Sequence, residues 1–375
     1  MNVTASTIAH IRLCHVYGGA ERYVLDLSEQ LTARGYRSLI LTPPDSPLAP
    51  KVQHVHGMLL SLPVRSGDLN LLTVLRVSRI LRRQDIELVN MHDGTLPCCL
   101  GTHLAGIPVV ATVHGFRRKW AFQTADHLIA VSDAVRDHFV KMGFPSHRIT
   151  VVRNGTDTRY FTVGDRRAAR AQLGIDPESF VFSTTSRLTQ KKGINLLLEA
   201  FAQLTFTRPT TLIIAGSGPQ EVELRMLAER LGISNRVCFL GFQADVRPVM
   251  TAADCHVLPS LIEPLGLAVL EAMACGRPCI ATRSGGPAEV ITDRTTGLLV
   301  DPGSISQLAD ALTFAATTPG WTDEAGLAAR VSVEQSYSLQ AQVDGVEAVY
   351  QHVLNQHKKP YFSISHKPFD GKIRI

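Results

Sequence analysis

Two carboxylates eight residues apart, Glu263 and Glu271, bracket a run of small and apolar side chains that ends at Cys275. From Pro264 onward the run is apolar all the way round, which predicts a short buried helix over 264–275. A carboxylate seldom leaves water without a partner. Two kinds of partner suit Glu271: a pair of vicinal hydroxyls, which an ionised Glu accepts from both at once, or an Arg or Lys elsewhere in the core. The first-turn amides at Gly266 and Leu267, with the helix dipole behind them, favour an anion, and a Pro at the start leaves neighbouring donors free. Together these features describe a pocket for a ligand with both phosphate and hydroxyls.

A second group of chemically competent residues lies on loops that follow apolar runs. Ser186 to Gly193 carries Arg187 and Lys192, a planar fork and a point charge that suit a diphosphate, although a solvated basic loop has the same composition. Gly216-Ser217-Gly218-Pro219 forms a turn that lets backbone approach a base or phosphate closely. It lacks the third glycine of a dinucleotide fingerprint, because Glu221 stands there. His114 ends the run Ala111-Thr-Val-His-Gly and is either a ligand contact or a core histidine satisfied by a loop carbonyl. His92-Asp93 and Phe116-Arg117-Arg118-Lys119 end other runs, and the basic cluster suits a phosphate or lipid head group as well as plain solvation.

Positioning these loops requires an alternation of strands and helices, and the chain has one. TIAHIRLCHV at 7–16 reads as a buried strand leading into Tyr17-Gly18-Gly19-Ala20-Glu21-Arg22 and then a helix of 3.6-residue period. Further apolar runs at 37–42, 58–64, 86–92, 108–115 and 126–132 alternate with helical segments, with Ser132 and Asp133 opening one of them. The pattern restarts after a linker at 166–180 that contains a helix, with strands at 180–188, 211–219, 236–242 and 254–258. A last helix, 339–356, is long enough to cross back to the first half. The expected fold class is α/β: two doubly wound, Rossmann-like domains whose strand-end loops face each other across a cleft. The expected boundaries are 1–163, 164–338, a crossing helix 339–357, and a basic, loose tail 358–375.

At 375 residues with 45% hydrophobic and 19% charged residues, the chain suits two globular domains and excludes a disordered protein. No run of 18 uncharged apolar residues spans a membrane, and the N-terminus lacks the plan of a secretory signal, so a cytoplasmic protein is expected. Seven cysteines without a CxxC pair suit reduced thiols better than a disulfide framework or a zinc site. Residues 1–160 hold 18 Lys and Arg against 12 Asp and Glu, whereas 161–350 hold 15 against 20. A basic first half suits an anionic acceptor or an anionic membrane face, or is ordinary solvated surface. No arginine-rich run interleaved with aromatics points to nucleic acid.

The sequence EPLGLAVLEAMACGRPCIAT resembles the Glu-x7-Glu signature of retaining glycosyltransferases, and its surroundings resemble glycosyltransferase family 4 in the GT-B fold. The resemblance runs from GGAE at 18–21 through SRLTQKKG at 186–193 and AGSGP at 215–219 to GGPAEVI at 285–291. It implies that Arg187 and Lys192 bind the donor's diphosphate, that Glu271 accepts from the ribose hydroxyls, and that Glu263 lies near the donor sugar. The amides of Gly266 and Leu267 then meet sugar or phosphate, as do Gly216 and Gly218. Gly18 and Gly19 close over the diphosphate, His114 contacts the transferred sugar, and His92 and Arg117 border the acceptor. The implied activity is metal-independent, since no Asp-x-Asp occurs, with a UDP- or GDP-sugar as co-substrate and no other cofactor. The implied acceptor is a glycan or a lipid-linked molecule of the cell envelope, such as a lipopolysaccharide precursor, reached by peripheral contact with the inner face of the membrane. A sugar-nucleotide epimerase of the same architecture and a non-catalytic nucleotide-binding subunit are the alternatives. A dinucleotide oxidoreductase does not fit the broken glycine fingerprint.

Overall fold

The computed structural model describes residues 6–13, 17–52, 58–61, 71–92, 95–205 and 208–358. The first half runs β1 (Thr7–Ile11), α1 (Gly19–Ala33), β2 (Arg37–Thr42), α2 (Ala49–Val52), β3 (Met58–Ser61), α3 (Leu71–Arg82), β4 (Leu88–Met91), α4 (Leu96–Leu104), β5 (Val109–Val113), β6 (His127–Ala130), α5 (Asp133–Lys141) and β7 (Ile149–Val151). Its seven strands lie in the order β3-β2-β1-β4-β5-β6-β7, every neighbouring pair parallel. The strands are continuous apolar runs because helices cover both faces; all five residues of Val109–Val113 are buried. At the start of α5 the Ser132 hydroxyl accepts from the Val135 amide at 3.2 Å.

The second half runs α6 (Arg166–Gln172), β8 (Phe180–Thr185), α7 (Ile194–Ala202), β9 (Thr210–Ala215), α8 (Glu221–Arg230), β10 (Val237–Gly241), α9 (Arg247–Ala252), β11 (Cys255–Leu258), α10 (Leu267–Ala274), β12 (Cys279–Thr282), α11 (Pro287–Val290), β13 (Gly297–Val300), α12 (Ile305–Thr317) and α13 (Trp321–Ser336). Its six strands follow the order β10-β9-β8-β11-β12-β13, again all parallel. The chain is thus an α/β protein of two doubly wound sheets. The six described cysteines are free, and no described helix is long and apolar enough to cross a membrane. The tail expected to be loose falls almost wholly outside the described residues, as does Asp93.

The final helix, α14 (Leu339–Lys358), returns to the first sheet. Val343, Val346, Tyr350 and Val353 pack there with Val24, Leu27 and Leu31 of α1 and with Ile8 and Leu88 of the sheet. Burying each of these aliphatic side chains is worth about 1.5–3 kcal/mol. The polar ends are paired too: the Asn90 amide donates to Tyr350 Oη at 2.6 Å, and Arg34 reaches Glu347 at 2.5 Å. A second seam links the halves where Arg330 of α13 donates to the carbonyls of Phe161 and Thr158 and to that of Ala274. A third is made by Glu289 of α11, whose carboxylate accepts from the amides of Asp133 and Ala134 at 2.9 and 2.8 Å and so caps α5 across the cleft.

The segment expected to be a linker is part of the second half. Arg170 of α6 is buried, donates to the carbonyls of Ala252 and Pro177, and meets Asp254 at 2.7 Å. Asp254 also accepts from the Val181 amide at 2.7 Å and from Arg166 at 2.8 Å. That network holds α6 against β8 and α9, so the helix within the expected linker is fixed to the second sheet. The chain crosses between the halves before Asp165 and again near Ser338, where the Thr156 amide donates to the Tyr337 carbonyl and the Leu339 amide donates to that of Thr156. Replacing Asp254 by Ala strands a buried guanidinium; the expected loss is about 3–5 kcal/mol of unfolding free energy. A denaturant melt followed by circular dichroism checks it, and a loss below about 1 kcal/mol contradicts a structural role for the pair.

Candidate functional site

The second-half wall of the cleft is built from loops at the carboxyl ends of β8, β9 and β11. Glu263 is buried, and one carboxylate oxygen meets Lys192 Nζ at 2.5 Å and the Ser260 hydroxyl at 2.9 Å. Lys192 ends a single turn, Gln190–Lys192, closed by Gly193 at φ +65°. A Cβ at Gly193 would stand 2.2 Å from the Pro259 carbonyl, so glycine is what allows this loop to lie against the exit of β11. Arg187 sits on the same loop, exposed, with no ion pair among the described residues.

Gly216 and Gly218 lie where their turn packs against the loop that carries Arg187. A Cβ at Gly216 would fall 1.8 Å from the Ser186 carbonyl, and one at Gly218 2.3 Å from that of Leu188. The Gly216 amide is taken by Gly241, and the Leu188 amide donates to the Ser217 carbonyl. These glycines dock their turn onto the loop that carries Arg187; the close approach is loop to loop.

The apolar helix starts later than its sequence suggests. Pro264 lies outside it; Gly266, at φ +91°, is the N-cap and Leu267 the first helical residue. Val269, Leu270, Ala272 and Met273 are buried as expected. The amides of Leu267 and Ala268 donate to no protein group among the described residues, so α10 presents free donors at its positive end.

The first-half wall comes within contact of this helix. A Cβ at Gly19 would lie 2.7 Å from Leu267 Cδ1, whereas Gly18 is in ordinary extended backbone that other residues adopt. Gly19, Arg22, Asp26, Asp157, Leu267 and Glu271 line a small pocket between the two walls. Across it Arg22 reaches to 3.8 Å from Glu271 and 3.5 Å from Asp26, and its guanidinium stacks on the Tyr160 and Phe161 rings. Burial raises the Glu271 carboxyl to about 7, with Arg22 opposing and Asp26 reinforcing the shift. Asp26 is raised to about 6, chiefly by burial. No role was assigned to Arg22 from the sequence; its place, one turn after the glycine loop that ends β1, was the signal for it.

His114 ends β5 and is half-buried. His92, expected to touch substrate, is buried behind it with both ring nitrogens occupied: Nδ1 lies 3.1 Å from His114 Nε2, and Nε2 lies 3.2 Å from His10 Nδ1. No nitrogen remains for a ligand, so His92 is not a contact residue. Arg117 is exposed, and the halves also meet where Phe116 approaches Gly285 and Gly115 approaches Pro264.

Comparison with known proteins agrees with this architecture. The family model described as Glycosyltransferase Family 4 matches residues 17–160, and that described as Glycosyl transferases group 1 matches 165–329. The lipopolysaccharide core biosynthesis glycosyltransferase LpsE of Rhizobium meliloti is 29% identical over 301 residues, covering 79% of this chain and 84% of that protein. The N-acetyl-alpha-D-glucosaminyl L-malate synthase of Bacillus anthracis is 27% identical over 302 residues, 76% of this chain and 79% of the other. Among solved structures, HepE of Anabaena in complex with UDP and glucose superposes with a TM-score of 0.84 at 24% identity, covering 92% of this chain and all of that one. With both sheets, the facing loops and the two family matches in agreement, the chain belongs to glycosyltransferase family 4 and is a glycosyltransferase of the GT-B fold.

Proposed function

We propose that the enzyme transfers a hexose, with retention of anomeric configuration and without a metal ion, from a UDP-sugar to a glycan or lipid-linked acceptor of the cell envelope. The observation that carries this reading is α10: free amides at its start, a Lys192–Glu263 pair with a buried carboxylate beside it, and Glu271 one turn on, facing the pocket. Arg187, Lys192 and the Leu267 and Ala268 amides meet the diphosphate and stabilise the charge it gains on leaving. Glu271 accepts from the ribose hydroxyls, while Glu263 holds Lys192 in place at the donor sugar. The acceptor oxygen attacks C1 on the face the diphosphate leaves; the C1–O bond breaks, and the acceptor's proton passes to the departing phosphate oxygen. No side-chain nucleophile is required, and the work of the protein is orientation and charge stabilisation. The choice of UDP is supported by the solved HepE complexes with UDP and with UDP-glucose. The choice of an envelope acceptor is supported by the LpsE relative and by exposed Arg117 and Arg118 on the acceptor side.

Three measurements test it. With UDP-glucose and water alone, slow UDP release unaffected by EDTA is expected, with α-glucose as the first sugar product by NMR. Lys192→Ala should lower that rate on the order of 10²–10³-fold; dependence on added divalent metal, or β-glucose as product, overturns the mechanism.

UDP-glucose affinity should depend on pH through Glu271. Its carboxyl, raised to about 7, is neutral below that value and cannot act as a full acceptor, so binding is strongest above pH 7. As pH falls to 5.5 the dissociation constant should rise by up to about tenfold per unit, and Glu271→Gln should flatten the profile. Calorimetric titration reads both, and a flat wild-type curve removes Glu271 from the ribose site.

Flotation with liposomes tests the acceptor side. Anionic vesicles should carry the protein upward and neutral ones should not, with loss of the effect in Arg117→Glu/Arg118→Glu; protein left at the bottom in both cases argues for a soluble glycan acceptor.

A further inference from the structure

Three histidines form a continuous hydrogen-bonded line from the core of the first sheet to the cleft. In register, His10 of β1 pairs with Asn90 and Met91 of β4 with Ala111 of β5, so His10, His92 and His114 each stand two residues further toward the carboxyl end than the last. All three occupy the sheet face covered by α1 and α14. The two bonds, 3.2 and 3.1 Å, use His10 Nδ1, both nitrogens of His92, and His114 Nε2. Among the described residues the outermost atom, His114 Nδ1, has no protein partner, and the innermost, His10 Nε2, is buried and has none either.

Burial keeps all three rings neutral, lowering His10 and His114 to about 3, with Arg12 further disfavouring charge on His92 and His114. A neutral imidazole carries one N–H, and each bond in the line needs one hydrogen. Only two arrangements make both bonds. Either every ring is protonated at Nδ1 and donates outward, or every ring is protonated at Nε2 and donates inward. The inward arrangement aims an N–H from His10 into a site with no acceptor, and a buried donor without a partner costs about 1–3 kcal/mol. The outward one leaves a bare nitrogen there, the milder defect. The Arg12 guanidinium donates to the His92 carbonyl at 2.8 Å and is itself held by Glu21, which anchors the backbone behind the line. The Tyr23 ring packs edge-on against His114 with centroids 4.8 Å apart and fixes its plane.

We propose that His10 and His92 are positioning residues that hold His114 in its Nδ1–H tautomer, so that the cleft offers the donor sugar a hydrogen-bond donor from that ring. The proposal rests on the donor-sugar reading of the cleft for its kinetic consequence but not for the tautomer itself. The sugar atom facing His114 must then accept, as a hydroxyl, ring or carbonyl oxygen does.

The experiment is a long-range ¹H–¹⁵N spectrum of histidine-labelled protein with ligand absent, together with UDP-glucose hydrolysis by two variants. His114 should show a protonated Nδ1 and a bare Nε2. His92→Gln, whose carbonyl accepts from His10 and whose amide donates to His114, should keep that signature and most of the rate. His92→Phe, similar in shape but without either bond, should lose the single tautomer and slow UDP release about 10–100-fold at unchanged affinity for UDP. A bare Nδ1 on wild-type His114, or a folded His92→Phe with wild-type rate, overturns the proposal. If UDP-glucose does not bind at all, the functional reading fails while the spectrum still decides the tautomer.

Discussion

A carboxylate removed from water must be met by a cation or by hydrogen-bond donors, and four such groups in the second half set where everything else stands. Asp254 gathers Arg170, Arg166 and the Val181 amide, and thereby fixes α6 to its sheet. Glu263 takes Lys192 and Ser260, which orients the basic loop toward the cleft. Glu289 takes the first amides of α5 and so joins the halves. Glu271 is the exception. Its nearest cation, Arg22, is 3.8 Å away, beyond hydrogen-bond distance, and its carboxyl is raised accordingly. A buried acceptor left short of donors is where a hydroxyl-bearing ligand has most to contribute.

Much of the fold was legible because each strand is a short uninterrupted apolar run. RSLILT at 37–42 and Val109 to Val113 are strands as read, and the helix beginning at Leu339 does cross back. The spacing of Glu263 and Glu271 was legible for a related reason, since two acids in an otherwise apolar run have no solvent to face. What stayed hidden depended on contacts between residues far apart in sequence. Arg22 acquires its place only when α1 meets α10, some 250 residues later. The histidine line needs the register between β1, β4 and β5, and His92 reads as bordering the acceptor because it follows the end of an apolar run.

Two local details turn on glycine, and one of them shifts the start of the apolar helix from where it is expected. Pro264 reads as a first helical residue, but Gly266 at φ +91° takes the cap and leaves Pro264 to pack toward Gly115. The turn at Gly216 and Gly218 reads as a cradle, yet its missing Cβ atoms make room for the carbonyls of Ser186 and Leu188. At Gly216 and Gly218 the close approach that glycine permits is made by the protein's own loop.

The two glutamates of the signature therefore do opposite things with the same chemistry. Glu263 commits one carboxylate oxygen to both Lys192 and Ser260, so on the proposed reading its part is to hold a cation in place. Glu271 keeps its capacity, and the residue that favours its ionised form belongs to the other half of the molecule. Arg22 lowers the Glu271 pKa only because Gly19 and Leu267 bring the two walls into contact. A ligand that needs the ionised carboxylate is thus bound more tightly when the walls are together, and by reciprocity its binding draws them together. On the proposed reading, contact between the walls and donor binding are linked through this one charge pair.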